Sequence, residues 1–220
     1  AEVAAVAAAV RPVAATVVAH LSGAHGLDVL APHPRRAAVH PLVALPAAGI
    51  GAARLRAGAW FAVAGDPIAH EVVAALGGHA VEVADADRAA YHAAACIAAN
   101  HLVGVLGQVE RLAATAGVPF EAYLALARGA VDNVAALGAA AALTGPVARG
   151  DHDTVERHRA ALSDEERAHY DAGVALLQPL LPPSVQGSSR SARETLHRTA
   201  TTPEVVDTVA AFTKALEAER

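Results

Sequence analysis

The spacing of apolar positions changes once along this chain, near residue 86. Before that point the apolar runs are short, β-branched and punctuated. Thr16-Val17-Val18-Ala19-His20 predicts a strand ending in a Ser22-Gly23 turn, and Ala37-Ala38-Val39-His40 predicts another, cut by Pro41. Trp60-Phe61-Ala62-Val63 predicts a third, ending at Gly65-Asp66-Pro67. There Asp66 is placed to cap a helix that Pro67 opens and Gly77-Gly78 stops. Ala80-Val81-Glu82-Val83 predicts a fourth strand, and Glu2 to Val10 a leading helix stopped by Arg11-Pro12. Strands alternating with helices predict a mostly parallel, doubly wound sheet.

Beyond that point the period becomes helical. From Arg88 to Ala116 the residues Tyr91, Ala95, Ala98, Leu102, Val105, Val109 and Leu112 fall on one face. Gly117 ends that helix, and Pro119 opens the next, whose stripe holds Tyr123, Leu126, Ala130, Asn133 and Leu137. After a loop from Thr144 to Gly150, Asp151 caps a helix through Leu162, and Ser163-Asp164-Glu165-Glu166 is a capping box for another reaching about Leu181. Pro182-Pro183 and Gly187-Ser188-Ser189-Arg190-Ser191 read as a linker, and Thr202-Pro203-Glu204 starts an amphipathic helix. The fold class is therefore α/β then all-α, in three segments: a partial α/β domain over 1–86, an all-helical domain over 87–182, and a linker with a helix over 183–220.

Composition sharpens this picture. Hydrophobic residues make up 54% of the 220, but only 3% are aromatic and alanine dominates, so the helices must pack closely to bury area. A net charge of −5 with no basic cluster argues against nucleic acid as a partner. The most apolar run, Val134 to Leu143, is too short to span a bilayer, and the N-terminus lacks the basic start of a signal peptide, so no membrane partner is expected. The single cysteine, Cys96, excludes an intrachain disulfide and fits a cytoplasmic location. The sequence holds no methionine, which leads us to expect a processed or truncated protein.

Candidate chemistry gathers in a few places. In an open parallel sheet, ligands bind beyond the carboxyl ends of the strands, where this chain has His20-Leu21-Ser22-Gly23-Ala24-His25 and His40-Pro41. Ser22 and the following amides can face an anion; equally, Gly23 and Pro41 can simply make turns. On the long helix His92, Cys96 and Asn100 are spaced by four and share a flank. Either they face a cleft, or His92 is a core histidine bonded to a neighbour. An asparagine within a helix implies a bonded amide, for Asn100 as for Asn133, which the period places in the buried stripe. Arg149 suits a carboxylate or phosphate, while Asp151 and Gly150 read as a cap and a turn. Gly49-Ile50-Gly51 half matches a dinucleotide fingerprint, but Pro46 interrupts its strand and only about two helical turns fit before Gly58, too few for a crossover helix. His20, His25, His33 and His40 lack the spacing of zinc ligands, so no metal is expected.

His20-Leu21-Ser22-Gly23, His40-Pro41-Leu42, Tyr91-His92 through Asn100, Asn133 and Ala142 through Asp151 together resemble a bacterial family of Rossmann-like proteins with a C-terminal domain of unknown function. That family looks related to ketopantoate reductase, pyrroline-5-carboxylate reductase and the 6-phosphogluconate dehydrogenase C-terminal-like superfamily, and the resemblance covers roughly residues 15–180. It implies an incomplete Rossmann-like NAD(P)-binding domain over 1–86, lacking its Gly-rich loop, and a helical domain that mediates a homodimer. It further implies an oxidoreductase-like protein that acts on a small oxo or hydroxy acid, using NADP or NAD when the missing N-terminal segment is restored. As this chain, the protein is expected to be inactive or incomplete. His92 and Asn100 would be catalytic, Ser22, His40, Asn133 and Arg149 would bind substrate, and Ser22 and Gly23 would bind cofactor. Related dehydrogenases place a catalytic lysine one or two turns before an asparagine like Asn100; here those positions hold Cys96 and His92, and the only lysine is Lys214. His92 then stands in as proton donor, since an imidazole titrates in the right range. The stretch Glu194 to Arg220 resembles the opening of pantothenate synthetase, ahead of that enzyme's own functional residues. An alternative follows: a non-catalytic helical dimerisation module beside a pantothenate synthetase.

Overall fold

Four strands form where the β-branched runs stand: β1 (Val17–His20), β2 (Arg35–Pro41), β3 (Trp60–Gly65) and β4 (His79–Glu82), in the computed structural model, which describes residues 2–186. They make one sheet in the order β1-β2-β3-β4. The β1–β2 and β3–β4 pairs are parallel, but β2 and β3 run antiparallel, with Ala37 opposite Gly65 and Pro41 opposite Phe61. The sheet is thus mixed rather than wholly parallel. The reason lies in the connection: between β2 and β3 the chain fits only α2 (Ala48–Leu55), the two-turn helix that holds Gly49 and Gly51. An antiparallel return needs no crossover helix, whereas a parallel one does.

One face of the sheet carries the core. Ala37, Val39, Phe61 and Val63 pack against Ala69 and Val73 of α3 (Ile68–Ala75). Asp66 sets the start of α3: its Oδ1 accepts the Ile68 amide at 3.1 Å, and its carboxylate takes both Nε and Nη2 of Arg35 at 2.7 and 3.1 Å. Gly65 before it has φ +85°, and a Cβ there would collide with the Arg36 carbonyl, so the turn from β3 into α3 requires glycine. The opposite face is floored by alanines: Ala38, Ala62 and Ala64 are buried, and sheet register puts His20 and His40 beside them. In front of β1, α1 (Glu2–Ala9) is held by the buried His33, whose Nε2 donates to the Ala7 carbonyl at 2.9 Å.

After β4 the chain is helical, as its pattern predicts. α4 (Arg88–Cys96) runs through a π-helical turn (Ile97–His101) into α5 (Leu102–Ala116), which Gly117 ends at φ +69°. α6 (Phe120–Leu137) is followed by a single turn, α7 (Ala139–Ala142). Asp151 caps α8 (His152–Ala161) by accepting the Thr154 amide, and Ser163 caps α9 (Asp164–Leu177) by accepting the Glu166 amide. Pro183–Gln186 forms a short α10 where a linker was expected to begin, and the ligase-like stretch 194–220 lies outside the described residues.

The change from strands to helices falls where the pattern places it. The compact units divide further along, one ending at Arg111 and the other starting at Leu112. The continuous helix Asp85–Ala116 is far longer than the apolar run Val134 to Leu143 judged in the sequence. By length and composition alone it is the one helix among the described residues able to cross a membrane, with mean hydropathy 1.3 over its most apolar window and none of that window buried.

The core assignment makes a direct prediction. Phe61 is 2% exposed, so Phe61→Ala is expected to lower stability by about 3–5 kcal/mol in denaturant unfolding.

Candidate functional site

β1 and β2 are parallel and end side by side, so the loop leaving β1 and the last residues of β2 share one edge of the sheet. The β1 loop is held by its own side chains. The His20 ring is buried: its Nδ1 accepts the Ser22 amide at 3.2 Å and its Nε2 donates to the Gly26 carbonyl at 3.1 Å. Both ring nitrogens are thereby used by a neutral imidazole, which gives His20 a positioning role. Ser22 Oγ accepts the Ala24 and His25 amides at 3.3 Å each and lies 2.8 Å from His25 Nδ1. Asp85, just before the long helix, ties the far end of the loop by accepting the Leu27 amide at 2.9 Å.

α4 brings a second set of side chains to this edge. Arg88, Tyr91 and His92 are spaced by three and four, so one helix face carries all three. The Tyr91 hydroxyl and His40 Nδ1 are hydrogen-bonded at 2.7 Å. His40 also meets the edge of the His92 ring, with centroids 6.0 Å apart, and His92 Nδ1 lies 3.9 Å from Cys96 Sγ. Gly23 is pressed against this group. A Cβ there would lie 2.5 Å from His92 Cδ2 and 2.8 Å from His40 Cε1, so the rings need the backbone bare at that point. Six residues from three sequence-distant stretches thus converge: His20, Gly23, His40, Arg88, Tyr91 and His92.

The electrostatics of the cluster are unusual. Desolvation by burial holds His20 below its ordinary 6.5, with the nearby Arg88 charge acting in the same direction. Burial likewise lowers His40, helped by the His92 and Arg88 charges. Burial raises the Tyr91 phenol, which therefore stays protonated. Arg88 itself is 1% exposed, and none of its three guanidinium nitrogens has a hydrogen-bond partner among the described residues. Its nearest carboxylate is that of Asp85, 4.0 Å from Nε.

Of the residues singled out in the sequence, the structure brings together Gly23, His40 and His92, with Ser22 in the same loop. Asn100 lies two turns beyond His92, in the π-helical turn, and is exposed, so its amide is solvated instead of held in a core. Asn133 is also exposed; the buried stripe expected for α6 is absent because no residue of that helix is buried within the chain. Arg149 is exposed too, and its charge acts on Asp151, whose carboxyl is lowered mainly by its hydrogen bonds to Thr154. His33 and His20 point to separate carbonyls, and among the described residues no three His, Cys, Asp or Glu side chains are placed to hold a metal. Sequence reasoning missed Arg88, and placed Tyr91 on the packed face and in a family motif without giving it a role at the site. The signal was the helical spacing of Arg88, Tyr91 and His92.

Residues 61–175 match the family described as Domain of unknown function (DUF2520), and the chain belongs to that family. No curated protein matches it. Among solved structures it is similar to protein TM1727 from Thermotoga maritima, with a TM-score of 0.60 and 26% identity over 74% of this chain and 68% of that one. It is also similar to a Bacteroides fragilis protein named "putative NADP oxidoreductase BF3122", with a TM-score of 0.62 and 16% identity over 77% of this chain and 64% of that one. The α/β region is therefore Rossmann-like and is followed by a helical region.

The neutral state of the two histidines predicts a pH dependence. The unfolded chain takes up protons at His20 and His40 below about pH 6.5, whereas the folded chain resists doing so. Their contribution to stability is full above that pH and is lost as pH falls through it. Unfolding midpoints measured between about pH 7.5 and 5 should fall, and His40→Gln should make the fall shallower.

Proposed function

We propose that this member of the DUF2520 family is an NAD(P)-linked, oxidoreductase-like protein acting on a small oxo or hydroxy acid. The observation that carries this reading is the His40–Tyr91–His92 cluster at the carboxyl ends of β1 and β2, where Rossmann-like sheets bind their ligands. The name of the Bacteroides fragilis relative points the same way. A nicotinamide dinucleotide would supply the hydride. The described residues fit the substrate side of such a site better than the phosphate side, because Ser22 Oγ is spent on its own loop and the Gly49-Ile50-Gly51 stretch lies within α2. Ser22 and Gly23 accordingly border the cofactor in this reading without cradling its phosphates.

The chain's own residues manage the proton. His92 is the donor to a developing alkoxide, and the hydrogen-bonded Tyr91 hydroxyl and His40 Nδ1 hold a second proton beside it. Asn100 contributes an exposed amide further along the same helix, and Arg149 and Asn133 are substrate-binding candidates on the family resemblance alone. The sequence links to ketopantoate reductase and pantothenate synthetase would place such a reaction near pantothenate synthesis; their support is the sequence motifs alone. Because the chain spans 68% and 64% of its two structural relatives, the test uses both this chain and the longer Thermotoga maritima protein. NADPH fluorescence should show saturable binding at least in the longer protein, and replacing the residue equivalent to His92 by alanine should cut NADPH-dependent turnover of short 2-oxo acids by roughly 10²-fold or more. NADPH binding by neither protein would refute the reading.

The helical part also favours a homodimer. From Leu112 on, Ala113 and Leu181 are the only buried apolar residues among those described, while Leu126, Val131, Leu137 and Leu176 are more than half exposed. Apolar faces of this extent mark a surface that a second copy covers. Sedimentation should give twice the chain mass, and Leu126→Glu should shift it toward the monomer. A wild-type monomer at micromolar concentration would contradict this, and a dimer without NADPH binding would favour the non-catalytic dimerisation module.

A further inference from the structure

A guanidinium is among the costliest groups to bury without a partner, because it stays charged at every ordinary pH and its five N–H donors all lose water. Arg88 is in that position: it is 1% exposed, and Nε, Nη1 and Nη2 have no hydrogen-bond partner among the described residues. The groups its charge reaches take none of its hydrogen bonds, and only Asp85, at the long end of an ion pair, offsets its charge. His20 and His40 are neutral, with His20 bonded at both nitrogens and His40 bonded to Tyr91 through Nδ1. Tyr91 is a neutral phenol. Asp85 stays 4.0 Å away, is half exposed, and uses Oδ2 on the Leu27 amide. The cluster therefore holds one buried positive charge with its hydrogen-bonding capacity unused.

We propose that Arg88 is the anion-holding residue of this site, its planar fork taking two oxygens of a ligand carboxylate or phosphate beside His40 and Tyr91. This deepens the reading given above, since it assigns the ligand's anionic end, but it does not depend on hydride transfer. The surrounding groups suit it. Neutral imidazoles and a phenol donate or accept hydrogen bonds without repelling an anion, and the alanine floor of Ala38 and Ala62 leaves the sheet face free of bulk. Lysine would not serve equally, because it offers a point charge where the geometry asks for a fork.

The test uses this chain with pyruvate and inorganic phosphate as separate probes, at ionic strength held constant with chloride. Thermal unfolding and calorimetric titration are followed for wild type, Arg88→Lys and Arg88→Met. Wild type should be stabilised saturably by at least one probe. A response to pyruvate alone identifies a carboxylate site, and a response to phosphate identifies a phosphate site. Arg88→Lys should bind that probe at least tenfold more weakly, and Arg88→Met should not respond while unfolding without anion at the same temperature as wild type or higher. No response of wild type to either probe overturns the proposal, as does an equal response in Arg88→Lys. An Arg88→Met protein that is much less stable without anion also overturns it, because the arginine is then structural. An anion response in this chain, with NADPH bound by neither it nor the longer Thermotoga maritima protein, leaves this assignment standing and refutes the oxidoreductase reading alone.

Discussion

A single buried cation organises the sheet edge of this protein. Arg88 sits at the first turn of the long helix with every guanidinium nitrogen unpartnered, and the groups around it are those that can stay neutral beside it. Loss of water is the main reason that His20 and His40 resist protonation, and the Arg88 charge adds to it. Once neutral, His20 can accept one backbone amide and donate to a carbonyl, which shapes the loop after β1. That loop presents Gly23 to the His40 and His92 rings. Burial of this edge thus keeps the rings neutral, and the buried arginine is the one cation among them.

The alanine-rich composition serves the same arrangement. On the core face, Phe61 and Val63 supply the bulk that Val73 of α3 packs against. On the other face, Ala38, Ala62 and Ala64 are buried but small, so a polar cluster can lie against the sheet without large side chains in its way. In the helical region the same composition has a different consequence. Small residues bury little area per helix, so the larger ones, such as Leu126 and Leu137, remain exposed within one chain.

Much of this was legible in the residues. The four strands stand where short β-branched runs end in Gly, Pro or Asp, because those runs fit a pleated surface and their ends cannot continue it. The caps at Asp66, Asp151 and Ser163 were legible because each side chain bonds an amide two or three residues away. The antiparallel return from β2 to β3 was not read, although the shortness of α2 is what permits it. The burial of Asn133 was misjudged because periodicity marks an apolar stripe without showing what covers it. Arg88 was passed over because a charged residue at a helix start looks like solvated surface, and only packing against residues 20–40 reveals it as buried. The family motifs named stretches 20–23, 40–42 and 91–100, while the pairing of His40 with Tyr91 across 51 positions came from the fold.

The central claim concerns the charge balance at this edge, and nitrogen-15 NMR reads it directly. The Arg88 Nε–H signal and the ring nitrogens of His20 and His40 can be followed near pH 7 while pyruvate or phosphate is added. The account predicts neutral rings throughout and an Arg88 signal that shifts saturably with one of the two anions. Protonated rings at that pH, or an Arg88 signal unmoved by either anion, would contradict it.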